Sequence, residues 1–239
     1  MGRRRGRRTF LKELGAATAG AASAVALPRP VEAEPAGRPA PQVANAPPIN
    51  TYQFLSPDEA AFVEAVVDAF IPADELSPSG TDCGVSVFID HQLAGAWGKG
   101  DRLYNQGPWA EGTPTQGYQL PMTPAEFVRA GIAATNAYCV QTHARELDRL
   151  PEADLIAVLR GLEAGEIDLD RLPGREFFNL LLAAAMEGFF ADPIHGGNRD
   201  KVSWRMLGFP GVIAVYADAI KAYRNRPYDG EPTSIADLA

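Results

Sequence analysis

Residues 177–190 read Phe177-Phe178-Asn179-Leu180-Leu181-Leu182-Ala183-Ala184-Ala185-Met186-Glu187-Gly188-Phe189-Phe190. Wound into a helix, this stretch is apolar nearly all round, through Phe177, Phe178, Leu180, Leu181, Leu182, Met186, Phe189 and Phe190. A helix without a polar face is a central one, covered by its neighbours. The rest of the chain is therefore expected to supply amphipathic helices that wrap it.

Such helices can be read on both sides. Ser56-Pro57-Asp58-Glu59 is a capping box with Pro at the first helical position. Phe62, Val63, Val66, Val67 and Phe70 follow on one face, and Pro72 ends the run. A short helix fits Val85 to Leu93. Thr123-Pro124-Ala125-Glu126 repeats the cap and opens a longer helix through Phe127, Ile132 and Tyr138 towards Leu147. Pro151 starts another, carrying Leu155, Ile156, Leu159 and Leu162, and a last helix is expected from about Val212 to Tyr223. Strand signals are weak. The expected fold is all-α: a single irregular helical domain of five or six helices with long Gly/Pro-rich loops, spanning residues 51–239.

Two loops interrupt the pattern. Residues 95–121 hold six Gly and three Pro, interleaved with Trp97, Tyr104, Trp109 and Tyr118. A loop of that length in a compact domain is usually functional, and its aromatics suit docking against a partner. The alternative is an internally packed Ω loop. The second loop, residues 191–211, places Asp192, His195, Gly196, Gly197, Asn198, Arg199 and Asp200 directly after the central apolar helix.

The N-terminus carries a different signal. Arg7-Arg8-Thr9-Phe10-Leu11-Lys12 matches the R-R-x-F-L-K core of a twin-arginine export signal, behind the basic run Arg3-Arg4-Arg5. Arg7, Arg8, Phe10 and Leu11 are its defining residues, and Gly6 stands where Ser or Thr is usual. A weakly apolar stretch runs from Leu14 to Leu27, and Val31-Glu32-Ala33 offers small residues for cleavage after Ala33. A membrane anchor would need roughly 20 strongly apolar residues, and this stretch is shorter and rich in Ala, Gly, Ser and Thr. An uncleaved tether is the alternative. The twin-arginine translocase moves folded proteins, typically ones loaded with a cofactor, so this chain is expected to hold a cofactor or to accompany one. Residues 34–50, rich in Pro and Ala, read as a flexible linker.

The whole chain has 22 basic and 30 acidic side chains. Residues 1–33 account for seven basic and two acidic ones, so the mature chain keeps 15 against 28, a net charge of −13. That balance argues against nucleic acid or an anionic membrane as partner.

The catalytic inventory is empty. There is no G-x-S-x-G elbow and no G-x-G-x-x-G after a strand, so neither an exposed serine nucleophile nor a dinucleotide fold is indicated. C-x-x-C-H is absent, and two cysteines are too few for an iron–sulfur cluster. His91 and His143 stand alone in helical segments. Asp192, His195, Asn198 and Asp200 are conceivable metal ligands, but a single His does not make a catalytic zinc site and the spacing fits no calcium loop. A structural turn or partner contact is the stronger reading, with Gly196-Gly197 supplying positive φ and Asp192 capping amides. Cys83 and Cys139 form either one disulfide, in an oxidising compartment, or two buried free thiols.

Several of these stretches carry a resemblance. Phe70-Ile71-Pro72-Ala73-Asp74-Glu75, Tyr104-Asn105-Gln106-Gly107-Pro108, the run Glu187-Gly188-Phe189-Phe190-Ala191-Asp192-Pro193 through His195-Gly196-Gly197-Asn198-Arg199-Asp200, Trp204 and Gly208-Phe209-Pro210-Gly211 resemble the small subunit of gluconate 2-dehydrogenase. The resemblance covers nearly all of residues 54–225. One departure is His195, where the family's D-P-x-Y-G-G loop commonly has Tyr. The resemblance implies a periplasmic complex associated with the inner membrane. Its flavoprotein large subunit carries FAD and oxidises a sugar, sugar acid or alcohol; a cytochrome c subunit with haem c takes the electrons. The small subunit itself would hold no cofactor and have no active site. It would assist maturation and export of the large subunit, touching it through Trp97, Tyr104, Trp109, Phe189, Phe190, Asp192, His195, Asn198, Arg199, Trp204 and Phe209.

Overall fold

Ser56 accepts a hydrogen bond from the Glu59 N–H, and the Glu59 carboxylate accepts one in return from the Ser56 N–H. This reciprocal cap opens helix α1, Pro57–Phe70, in a computed structural model that describes residues 51–101, 103, 106–110, 112–113, 119–170, 172–213 and 215–238. The export signal at Arg7, Arg8, Phe10 and Leu11, the linker, Tyr104 and Tyr118 lie outside the described residues. Thr123 and Glu126 repeat the same cap at the start of α3, Pro124–His143. There the Thr123 N–H and hydroxyl hold the Glu126 carboxyl below the usual carboxylate range. Burial pushes the Glu59 carboxyl up, but the Ser56 N–H and the Arg129 guanidinium outweigh it and hold the group low. Both helix starts are therefore set by side chains within four residues of the cap.

Between them lies α2, Val85–Ala94, and after them α4, Glu152–Ala164, and α5, Gly174–Phe190. Two short helices follow, α6 (Val202–Leu207) and α7 (Ala217–Ala222). Among the described residues there is no strand, and the only extended pairings are isolated bridges, Leu169 with Leu172 and Gly211 with Thr233. The protein is all-α, as the periodicity predicts.

The expected central helix is central. α5 packs against α1, α2, α3, α4 and α6. Phe177 on α5 is fully buried, with its ring 6.3 Å from Phe62 of α1 and 6.1 Å, edge-on, from Phe127 of α3. Each such fully buried aromatic contributes about 1.5–3 kcal/mol relative to an exposed one. The helix is not covered all round, however. Arg175, Glu176, Asn179, Ala183, Met186 and Glu187 form one exposed stripe at three- and four-residue spacing. Five neighbours fill most of its circumference and leave that edge to solvent.

Three boundaries differ from the sequence reading. α3 stops at His143, four residues short of Leu147, because Ala144 turns left-handed and Asn136 Oδ1 takes the Leu147 N–H from outside the helix. The last helix covers Ala217–Ala222 rather than 212–223: the Val212 N–H is committed to the Thr233 carbonyl at 2.6 Å, and Gly211 carries a φ of 80°. α6 lies inside a segment read as loop, between two glycine-containing turns that mask a six-residue helix.

Candidate functional site

The segment joining α5 to α6 carries the densest set of expected site residues, and its polar groups are mostly spent inside the chain. Asp192 caps a single turn, Pro193–His195. One of its carboxylate oxygens accepts the Ile194 N–H at 3.0 Å, the other the Ile235 N–H at 2.9 Å. Asn198 is fully buried. Its amide nitrogen donates to the Ala191 carbonyl at 2.9 Å, and its oxygen accepts from both the N–H and the hydroxyl of Ser203, at 3.0 and 2.8 Å. Arg199 reaches back across the chain, its N–H donating to the Cys83 carbonyl and its guanidinium to the Asp82 carbonyl, both at 2.9 Å. The two glycines have separate duties. Gly196 has a φ of 100°, which side chains disfavour. Gly197 is placed so that a Cβ would run into the Gly188 carbonyl of α5. Close approach, not positive φ, is what requires the second glycine.

The aromatics of this region divide between core and surface. Phe189 is buried and stands edge-on to half-buried Phe190, with ring centres 5.0 Å apart. Trp204 is buried on α6 and donates its indole N–H to the Phe190 carbonyl at 3.0 Å, fastening α6 to the end of α5. Phe189, Asn198 and Trp204, expected at a partner surface, are thus interior residues that shape the loop from below. The cause is local: the chain turns back on α5, so groups following its last turn face inward. His195 is exposed, and Phe209 is 38% exposed between Trp204 and Tyr216.

Around Phe209 several large apolar side chains reach the surface among exposed charges such as Arg205, Asp218 and Lys221. Met206, Leu207, Val215, Tyr216 and Ile220 are all exposed, Leu207, Val215 and Ile220 by more than 60%, and α7 has no buried residue. In the other loop, Trp97 and Trp109 are 37% and 41% exposed. That loop is tied to the helices where the Gly98 carbonyl accepts the Ala125 N–H at the start of α3, and Leu120 near its end packs against the core.

Metal-ligating groups do not converge. Among the described residues no three His, Cys, Asp or Glu side chains are grouped to hold a metal ion. No described helix is long and apolar enough to cross a membrane. Of the two readings open for the cysteines, the structure takes the second. Cys83, just before α2, and Cys139, on α3, are both free and buried. Burial pushes both thiols up, Cys139 to about 11, with Asp82 adding to the effect at Cys83.

Sequence reasoning missed the end of the chain, which closes over the loop. The Lys201 ammonium donates to the Pro232 carbonyl at 2.9 Å and pairs with Asp237; Arg205 pairs with Glu231 at 3.1 Å. The Lys201 hydrogen bond, with the Ser234 N–H, holds the Asp237 carboxyl down at about 2. Residues 231–238 carry no motif that would announce these contacts.

Fold and loop together define an all-helical protein in which motif residues fasten the loop after α5 back onto the end of that helix. The model for gluconate 2-dehydrogenase subunit 3 matches residues 57–211, and the chain belongs to that family. No curated protein and no solved structure shows a match to it.

Proposed function

We propose that this chain is the non-catalytic small subunit of a periplasmic, FAD-dependent dehydrogenase of the gluconate 2-dehydrogenase type. In this reading it binds the folded flavoprotein large subunit, assists its maturation and takes it through the twin-arginine translocase. Electrons then pass from the flavin to a cytochrome c subunit, which this chain meets only indirectly. The observation that carries the reading is the division of labour in residues 188–220. The Asp192 and Asn198 side chains are satisfied within the chain, while Met206, Leu207, Phe209, Val215, Tyr216 and Ile220 are exposed within one fifteen-residue segment, with the Phe209 ring stacked on Tyr216. Large exposed apolar side chains grouped into a patch mark interaction surfaces, and a lasting subunit contact is large and partly apolar.

The test is expression of the large subunit with and without this chain. Active flavoprotein should appear in the periplasm only with it, and normal periplasmic activity in its absence would overturn the reading. Leu207→Asp with Ile220→Asp should abolish co-purification of the large subunit. The fold should be kept, since both side chains are more than 60% exposed.

A further inference from the structure

Residues 51–55, immediately before α1, are gripped by side chains from three helices. Asp90 of α2 is fully buried, and its carboxylate is met by three consecutive backbone amides. Oδ2 accepts the Gln53 N–H at 2.6 Å, and Oδ1 accepts those of Phe54 at 2.9 Å and Leu55 at 2.7 Å. The Tyr52 hydroxyl donates to Glu64 of α1 at 2.5 Å and lies 3.0 Å from the Ser86 hydroxyl of α2. His91 Nε2 sits 3.1 Å from the Thr51 carbonyl. Arg129 of α3 lies 4.1 Å over the Phe54 ring, donates to the Phe54 carbonyl at 2.9 Å and pairs with Glu59 at 2.8 Å.

The dependence runs in both directions. A carboxylate taken out of water and left without partners costs several kcal/mol, and the amides meeting Asp90 all belong to this one segment. Without the strap, Asp90 makes α2 unstable in its packed position. Without α1, α2 and α3 already packed, the strap has nothing to hold it. Buried Leu55 and half-buried Phe54 would then lie open beside the linker.

We propose that residues 51–55 form a fold-dependent clasp at the start of the cargo domain, one linker downstream of the export leader, so that export of the chain depends on Asp90 beyond its effect on stability. The inference rests on the reading of residues 1–33 as a twin-arginine leader. A translocase that accepts folded cargo then meets, at the far end of the linker, a segment that is closed only in the assembled fold. An unclasped chain instead shows it a loose apolar segment.

The experiment uses the full chain. Asp90→Asn is compared with Val66→Ala, a core variant, each at the temperature at which the same fraction of the chain is folded. Hydrogen exchange of amides 53–55 and the fraction of chain recovered in the periplasm are both measured. In Asp90→Asn the strap amides should exchange about tenfold faster than in Val66→Ala, and export should fall several-fold below it. Equal export of the two variants, or unchanged exchange at residues 53–55, overturns the proposal. If Asp90→Asn does not fold, Tyr52→Phe combined with Arg129→Ala loosens the strap with Asp90 intact and carries the same comparison. Undiminished export of an Arg7→Lys, Arg8→Lys chain would remove the leader reading instead, and the proposal with it.

Discussion

Asn198 has left-handed backbone, a fully buried amide and three hydrogen bonds, to Ala191 at the end of α5 and Ser203 on α6. Asn tolerates that conformation better than most residues, and its side chain holds Ala191 and Ser203 together. Asn198→Ala would strand the Ala191 carbonyl and the Ser203 hydroxyl in the interior, at about 1–3 kcal/mol for each unsatisfied group. With about 1–2 kcal/mol more for Ala in left-handed backbone, a total loss of about 3–8 kcal/mol is expected, read from the midpoint of chemical denaturation. A residue serving only as a metal ligand or partner contact would leave that midpoint unmoved. At this scale the sequence was partly legible. Polar residues beside paired glycines announced a turn, but not which of them face inward, since Asp192 and Asn198 look alike on paper. Asp90 went unread although its signal was present, as the one acid of α2, directly after the buried run Val87-Phe88-Ile89.

Helix starts were legible because capping is local: Ser56 with Glu59 and Thr123 with Glu126 act within one turn. Helix ends were less so, because tertiary partners set them, as Thr233 does for the segment before α7. Packing between elements shows the same contrast at two glycines. Gly131 of α3 faces Phe177, and a Cβ there would enter its ring. The ring is held between Phe62 and Phe127 and has no free direction. Gly131→Ala gains about 1 kcal/mol in helix propensity, but overpacking costs about 1–3 kcal/mol, so a net loss is expected. Gly161 of α4 is the control. Its Cβ would meet only the end of the Ile167 side chain, at 2.8 Å, and that end can swing aside. Thermal unfolding should therefore show a lowered midpoint for Gly131→Ala and an unchanged or raised one for Gly161→Ala.

On the scale of the whole molecule, the single core settles how the thiols behave. Cys83 belongs to the turn that receives Arg199, and Cys139 to the long helix α3; both contribute to the same apolar cluster. Neither is reachable without opening that cluster, and burial also suppresses their thiolates. At pH 8, a thiol raised to about 11 carries roughly a hundredfold less thiolate than an unfolded cysteine. Alkylation of the native chain should therefore be slow, with a rate set by the equilibrium population of the opened core multiplied by the reagent concentration. In denaturant without reductant, two thiols per chain should react at once, for protein prepared from the cytoplasm and from the periplasm alike. Fewer than two in the periplasmic material would mean that export rearranges the core enough to bridge residues from two separate elements. The packing of Phe62, Phe127 and Phe177 against α5 opposes such a change, so the expected count is two in both.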